Sequence, residues 1–325
     1  MSMLSTSIWP RITVITPSLN QGRFLADCIS SVLGQNYPNL EYIIIDGGST
    51  DGSLDLIRRY QPHLAYWVSE PDAGQSDAIN QGFRRATGDL VAWLNSDDFY
   101  LPNALAMAAQ SYLSRPAAPF YFGNGYRVDQ AGQLKRPHFQ QWPYRFNRQA
   151  LIFGLNYIMQ PATFINRHYL KQPDMLDSQL HYGLDTDLWL RLSALAEPQA
   201  IPAFLAASRE YKATKTASGS FERIEELRRL AAQYAGQPIT PGVICYFLDA
   251  LSRHIGVDTA TFPPAYRRAI LRFWADTSLL MEQYGVGPDG FPLAPHEIKA
   301  PFYRLKRRGR LYLRNWIKGY LAQLK

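Results

Sequence analysis

Asp89-Leu90-Val91-Ala92-Trp93-Leu94-Asn95-Ser96-Asp97-Asp98 decides the reading of this chain. Residues 89–94 are apolar and have strand composition. Phe99, Tyr100, Leu101 and Pro102 follow, then a helix-like run from Asn103 to Leu113. Two adjacent carboxylates thus stand where a buried strand gives way to a loop. In an open α/β sheet, ligands bind at that carboxyl end. Two hard oxygen donors suit Mg²⁺ or Mn²⁺, which usually keep waters and take further ligands from substrate phosphates. Taken alone, the stretch reads slightly better as a helix cap. The residues upstream favour the metal.

Upstream, strand and helix patterns alternate. Strands are expected over 11–16, 40–45, 64–69 and 89–94, and helices over 21–33, 53–60 and 74–86. Short connections in this order predict a parallel sheet with helices on both faces. Each strand leads into a polar cluster. These are Thr16-Pro17-Ser18-Leu19-Asn20, Asp46-Gly47-Gly48-Ser49-Thr50-Asp51, Glu70 to Asp77, and Asn95-Ser96-Asp97-Asp98. One such loop is ordinary turn chemistry. Four at one sheet edge converge on one crevice.

The second half is less regular. Short strands are expected at 120–122, 126–129, 133–136 and 162–165, a helix at 184–196, an edge strand at 201–206 and a charged helix at 221–234. Strand signals cease near residue 218, and 242–255, 265–284 and 301–324 read as helices. A boundary is placed at residue 216, with a helical extension over 217–325.

The chain has 325 residues, 46% of them apolar, with a net charge of +7. That is room for a sizeable core and an appendage. Nine of the 34 Lys and Arg fall between Lys299 and Lys325, where there is no acid. The remainder holds 25 basic against 27 acidic residues. The excess charge therefore belongs to the tail, unlike that of a uniformly basic nucleic-acid binder. Apolar residues at helical spacing share the tail with Arg307, Arg308, Arg310, Trp316 and Tyr320. Such a helix can lie in a membrane interface. Cys28 and Cys245 read as reduced core residues. No signal peptide and no spanning helix are expected. No dinucleotide fingerprint, P-loop or nucleophile elbow is present.

Residues 15–53 (ITPSLNQGRFLADCISSVLGQNYPNLEYIIIDGGSTDGS), 69–89 (SEPDAGQSDAINQGFRRATGD) and 94–98 (LNSDD) resemble the nucleotide-sugar-binding half of the family 2 glycosyltransferases, which have the GT-A fold. Fainter matches follow in order at Gln160-Pro161-Ala162-Thr163-Phe164, Asp185 to Leu192 and Lys215-Thr216. The resemblance implies a Rossmann-like, mostly parallel mixed sheet flanked by helices. It implies that Thr16 and Asp46 contact the nucleotide, Asp46 at the base, and that Asp72 sits beside base and ribose. Asn20 and Asp77 complete the expected donor contacts. Asp98 is implied as the metal ligand and Asp97 as its neighbour facing ribose. Asp185 falls where the family places its catalytic base. On a helix Asp185 and Asp187 point in different directions, so one of them faces the crevice. The family pattern selects Asp185. Gln160, His181 and Asp187 are the acceptor-side candidates. Tyr211 stands where relatives often carry a His, which leaves a third metal ligand open.

The implied activity is a metal-dependent, inverting hexosyl transfer from a nucleotide diphosphate sugar, a UDP-sugar favoured. The implied acceptor is a glycan or lipid-linked glycan in cell-surface polysaccharide assembly. The expected location is cytoplasmic, at the inner face of the membrane. A nucleotidyltransferase would want a basic Gly-rich loop after the first strand, and Thr16 to Gln21 hold no basic residue. A catalytically silent nucleotide-sugar-binding subunit would have no need of Asp97, Asp98 and Asp185 together.

Overall fold

The computed structural model describes residues 9–139, 146–153, 156–171, 175–215, 219, 221–240, 242, 243, 246 and 247. The first strand, β1 (Ile12–Ser18), is buried along its whole length. It pairs in parallel with β2 (Leu40–Asp46) and β4 (Leu90–Trp93), and β2 pairs in parallel with β3 (Tyr66–Ser69). Buried on both faces, β1 and β2 need continuous apolar runs, and ITVIT and YIII supply them. The helices between them are α1 (Gly22–Leu33), α2 (Ser53–Tyr60) and α3 (Gln75–Arg85). In α1, Phe24, Leu25, Cys28, Ile29 and Val32 are buried, as the spacing requires. In α3, Gly82 lies so close to β1 that a Cβ there would come 2.4 Å from Ile15.

After β4 come β5 (Phe99–Tyr100), α4 (Ala104–Ser114), β6 (Phe120–Val128), β7 (Leu134–Pro137), α5 (Arg148–Ile152), β8 (Thr163–Asn166), α6 (Leu184–Leu192), β9 (Gln199–Arg209) and α7 (Phe221–Ala235). The sheet has the order β3-β2-β1-β4-β8-β6-β9-β5, with β7 paired to β6. It is parallel from β3 to β4 and mixed beyond, since β8 runs antiparallel to both β4 and β6.

Two expectations for the second half are corrected. The stretches 120–122 and 126–129 form one strand, because Gly123 and Gly125 permit close approach rather than ending it. A Cβ at Gly125 would lie 2.0 Å from the Ala206 carbonyl oxygen of β9. Nor is β9 an edge: β6 pairs along one side of it and β5 along the other. Among the described residues, α7 belongs to the same compact unit as the sheet. Cys245, Thr216, the basic stretch 299–325 and the helices expected over 265–284 and 301–324 lie outside the described residues. Among the described residues, no helix is long and apolar enough to cross a membrane.

Candidate active site

The carboxyl ends of β1 and β4 open into a cavity of about 700 Å³. Its lining includes Ser18, Asp72, Gln75, Asn95, Asp97, Asp98, Gln160, His181, Asp185, Tyr211 and Lys215. Residues separated by nearly 200 positions thus share one space.

The loops after β2 and β3 meet at one end. A Cβ on Gly47 would lie 2.8 Å from an Asp72 carboxylate oxygen, so glycine lets the loops touch. Asp72 accepts a hydrogen bond from Gly74 N–H at 2.8 Å. Burial raises its pKa, and the charges of Asp77 and Asp46 add to the rise. The other donor-side candidates lie outside the cavity lining. Asp46 is buried and occupied by its own loop. It accepts from Gly48 N–H, Ser49 N–H, and the hydroxyls of Ser49 and Ser69, at 2.6–3.1 Å. Asn20, at φ +53°, accepts from Thr50 N–H at 2.9 Å. Thr16 meets the Tyr42 hydroxyl at 3.0 Å beneath the sheet edge. Asp77, in the first turn of α3, accepts from Ala73 N–H at 3.2 Å.

Asp97 and Asp98 follow β4 directly. Asp98 is buried, and one of its oxygens accepts from Arg209 N–H at 3.1 Å, the other from Asn95 Nδ2 at 3.4 Å. Burial first, and the Asp97 charge second, push its pKa well above the carboxylate range. Burial also raises Asp97, which Tyr211 opposes by donating its hydroxyl at 2.9 Å. Burial and Asp97 push the Tyr211 phenol up to about 12, so it stays a donor. Arg209 sits under the pair with its guanidinium between the rings of Phe24 and Phe99. It donates to the Asp97 carbonyl at 2.8 Å and to Asp27 at 2.6 Å.

A chain of amides runs along the cavity floor. Lys215 Nζ donates to Gln75, Gln75 to Asn95, Asn95 to Gln160, and Gln160 to the Trp93 carbonyl, all at 2.7–3.1 Å. Gln160 therefore braces the acidic pair from the β8 side. Burial lowers the Lys215 ammonium to about 8, against the charges of Glu226 and Asp185.

Asp185 stands in the first turn of α6 and lines the cavity. It accepts from Thr186 N–H at 2.7 Å and from Asn156 Nδ2 at 3.2 Å. Burial raises its pKa against these bonds. Asp187, two residues on, lies outside the cavity lining and binds Arg191 at 2.8 Å and the Tyr234 hydroxyl. The loop before Asp185 is held by Glu226 of α7, which accepts from the N–H groups of His181, Tyr182 and Gly183 at 2.6–2.7 Å.

The model of the family described as "Glycosyl transferase family 2" matches residues 13–172. An uncharacterized glycosyltransferase of Mycobacterium tuberculosis is 31% identical over 194 residues, 59% of this chain and 72% of the relative. The chain belongs to glycosyltransferase family 2. A putative teichuronic acid biosynthesis glycosyltransferase of Bacillus subtilis, TuaG, is 35% identical over 119 residues, 35% of this chain and 46% of the relative. Two solved structures share the fold. S. aureus TarS 1-349, in complex with UDP-GlcNAc, gives a TM-score of 0.57 at 15% identity, covering 85% of this chain and 83% of that one. A mannosyltransferase of Pyrobaculum calidifontis, in complex with GDP-Man and Mn²⁺, gives 0.54 at 19% identity, covering 84% and 81%. The glycosyltransferase thus has the GT-A architecture that its sequence implied.

The donor set of this glycosyltransferase fits a hard divalent cation. Two neighbouring carboxylates are held in a buried place that disfavours their charge, and a cation there relieves both burial and mutual repulsion. Among the described residues, no three His, Cys, Asp or Glu form a ready-made metal cage. Mg²⁺ and Mn²⁺ bound through one or two carboxylates and substrate phosphates do not require one. Sequence reasoning missed Glu226, Asn156 and Arg209. Each acts by hydrogen bonds across more than 25 positions, and no local pattern signals that.

Proposed function

We propose that this glycosyltransferase transfers a hexose from a nucleoside diphosphate sugar, a UDP-sugar favoured, to a hydroxyl of a glycan or lipid-linked glycan in cell-surface polysaccharide assembly. The observation that carries the reading is the single cavity bounded by Asp97 and Asp98 on one wall and Asp185 on another. TuaG's assignment to teichuronic acid biosynthesis supports the polysaccharide, and the bound UDP-GlcNAc and GDP-Man of the two solved structures support the donor class.

Asp72 is placed for the base and ribose, with Asp46 and Asn20 shaping the loops beside it. Asp98, with Asp97 next to it, would hold Mg²⁺ or Mn²⁺, which supplies Lewis-acid neutralisation of the diphosphate leaving group. Asp185 takes the proton of the acceptor hydroxyl as its oxygen bonds to the anomeric carbon. The bond from that carbon to the diphosphate oxygen breaks in the same step, so the configuration inverts. A half-buried carboxylate with a raised pKa suits a general base. His181 and Gln160 stand on the acceptor side of the same cavity. The basic stretch 299–325 is assigned to the inner face of the membrane, where lipid-linked acceptors are presented.

Calorimetric titration of UDP and GDP into the chain, with Mn²⁺ and with chelator, tests the reading. Metal-dependent binding of one nucleotide is expected, and Asp98→Asn weakens it about ten-fold or more. A chain that binds neither nucleotide overturns it.

A further inference from the structure

Glu210 faces three cations. Its carboxylate lies 2.9 Å from Arg127, 3.4 Å from Lys135 and 3.8 Å from Arg136. Among the described residues, three cations against one carboxylate leave this group with two surplus positive charges. The ladder pairing enforces the grouping. Arg127 of β6 is opposite Arg136 of β7 on one side and Ser208 of β9 on the other, two residues before Glu210. Like charges placed opposite each other on a sheet destabilise it. A surface that merely needed solubility has no reason to gather them.

The group borders the cavity already described. Arg127, His138 and Glu210 line it together with Asp98 and Asp185. Two nitrogens here, Arg127 Nε and His138 Nδ1, are buried without a hydrogen-bond partner among the described residues. Buried polar nitrogens left unpaired are costly, so a side-chain shift that opened the Arg127 N–H to a ligand oxygen in the cavity would be favoured.

The sheet order separates this group from the Asp72 end of the cavity, while Arg209 and Tyr211, on either side of Glu210, hold the acidic pair. Asp72 and Ser18 belong to the β3-β2-β1 flank of β4, whereas β6 and β9 lie on the opposite flank, beyond β8. A guanidinium fork recognises planar or tetrahedral oxyanions, and forms with them shorter and stronger bonds than with neutral oxygens. A neutral sugar would leave the surplus charge uncompensated.

We propose that the β6–β7 hairpin with Glu210 is an acceptor subsite that selects glycans bearing an anionic oxygen group, a phosphate or a carboxylate, close to the receiving hydroxyl. The assignment to the acceptor rests on the glycosyltransferase reading above. Glu210 is the internal counter-ion that the incoming anion competes with, so it sets the strength of the subsite.

The test uses the full chain at low salt with three probes: methyl α-glucoside 6-phosphate, methyl α-glucuronide and methyl α-glucoside. At least one anionic probe is expected to bind about ten-fold more tightly than the neutral one. The phosphate and carboxylate arms tell the two sources apart. Arg127→Gln with Arg136→Gln should abolish the preference, and exposed Lys135→Gln should weaken it. Glu210→Gln should strengthen anionic binding several-fold, an effect of opposite sign to any loss of packing. Equal binding of the three probes, binding of none, or no gain in Glu210→Gln overturns the proposal. Displacement of the anionic probe by UDP also overturns it, since the anion would then occupy the nucleotide site. Titrating UDP and GDP alone tests the transferase reading separately. A chain that binds no nucleotide yet keeps the anionic preference refutes that reading and leaves the anion site standing.

Discussion

Asp185 and Asp187 are chemically alike and two residues apart, and their surroundings assign them different work. Asp185 lines the cavity and is held by Asn156 and Thr186, whereas Asp187 is tied to Arg191 and Tyr234. A base acts on the acceptor in the transition state and adds little to nucleotide affinity. Asp185→Asn is therefore expected to keep UDP binding and to lose roughly 10²–10⁴ in transfer rate. Asp187→Asn should instead cost about 1–3 kcal/mol of stability, read by denaturant titration, because it removes the charge that Arg191 and Tyr234 meet. If the Asp187 variant alone loses transfer while staying stable, the base is misassigned by two residues. The pH profile gives a second readout. Burial raises the Asp185 pKa, and the bonds from Thr186 and Asn156 hold it back. A base works only when deprotonated, so the rate is full above that pKa and falls below it. The acid limb should lie above the ordinary Asp range of about 3.9. Asn156→Ala removes a donor that favours the charged form, so the limb should move to still higher pH. A limb that stays in place or moves down contradicts this.

Among the elements, α7 has an effect that its sequence does not announce. From residue 221 the pattern reads as a charged amphipathic helix, and nothing local links Glu226 to the loop at 181–183. In the fold, that carboxylate satisfies three backbone N–H groups just ahead of Asp185. Glu226→Gln leaves one acceptor oxygen where three donors converge, and the amide N–H₂ meets them head-on. A loss of about 1–3 kcal/mol is expected in denaturant titration, with a fall in kcat and little change in UDP affinity. A variant with full kcat would show that the loop keeps its place without the helix. The same contrast explains what was legible. The strands β1, β2 and β4 are buried on both faces, and amphipathic helices separate β1 to β4, so apolar runs and 3.6-residue spacing mark them directly. Their loops carry the acidic pair, which was readable for the same reason. Beyond β5 the strands are joined across long separations, and the expected strands stop at 122 and resume at 126, although Gly123 and Gly125 allow β6 and β9 to approach. The resemblance implies Thr16 and Asp46 as nucleotide contacts; in the fold Thr16 meets the Tyr42 hydroxyl, and Asp46 accepts from the loop after β2 and from Ser69 of β3.

At the scale of the whole chain, charge is segregated. The 27 acidic residues all precede Lys299, and nine of the 34 basic ones follow from it. A folded catalytic unit of near-neutral charge followed by a cationic, aromatic stretch suits an enzyme whose donor is soluble and whose acceptor is held at an anionic surface. Each Lys or Arg near such a surface contributes about 1 kcal/mol, and the attraction falls off within a Debye length. Insertion of Trp316 and Tyr320 would add an apolar contribution that salt does not screen. The two contributions can be separated. The full chain should co-sediment with vesicles containing phosphatidylglycerol and not with neutral ones. Rising salt should release it in part, and more completely from a Trp316→Ser, Tyr320→Ser double variant. A chain ending at residue 298 should lose sedimentation while it keeps nucleotide affinity, because every described residue lining the cavity precedes residue 247. Equal sedimentation of the long and short chains would remove the membrane from the argument. Loss of nucleotide affinity on truncation would show instead that the stretch supports the folded unit.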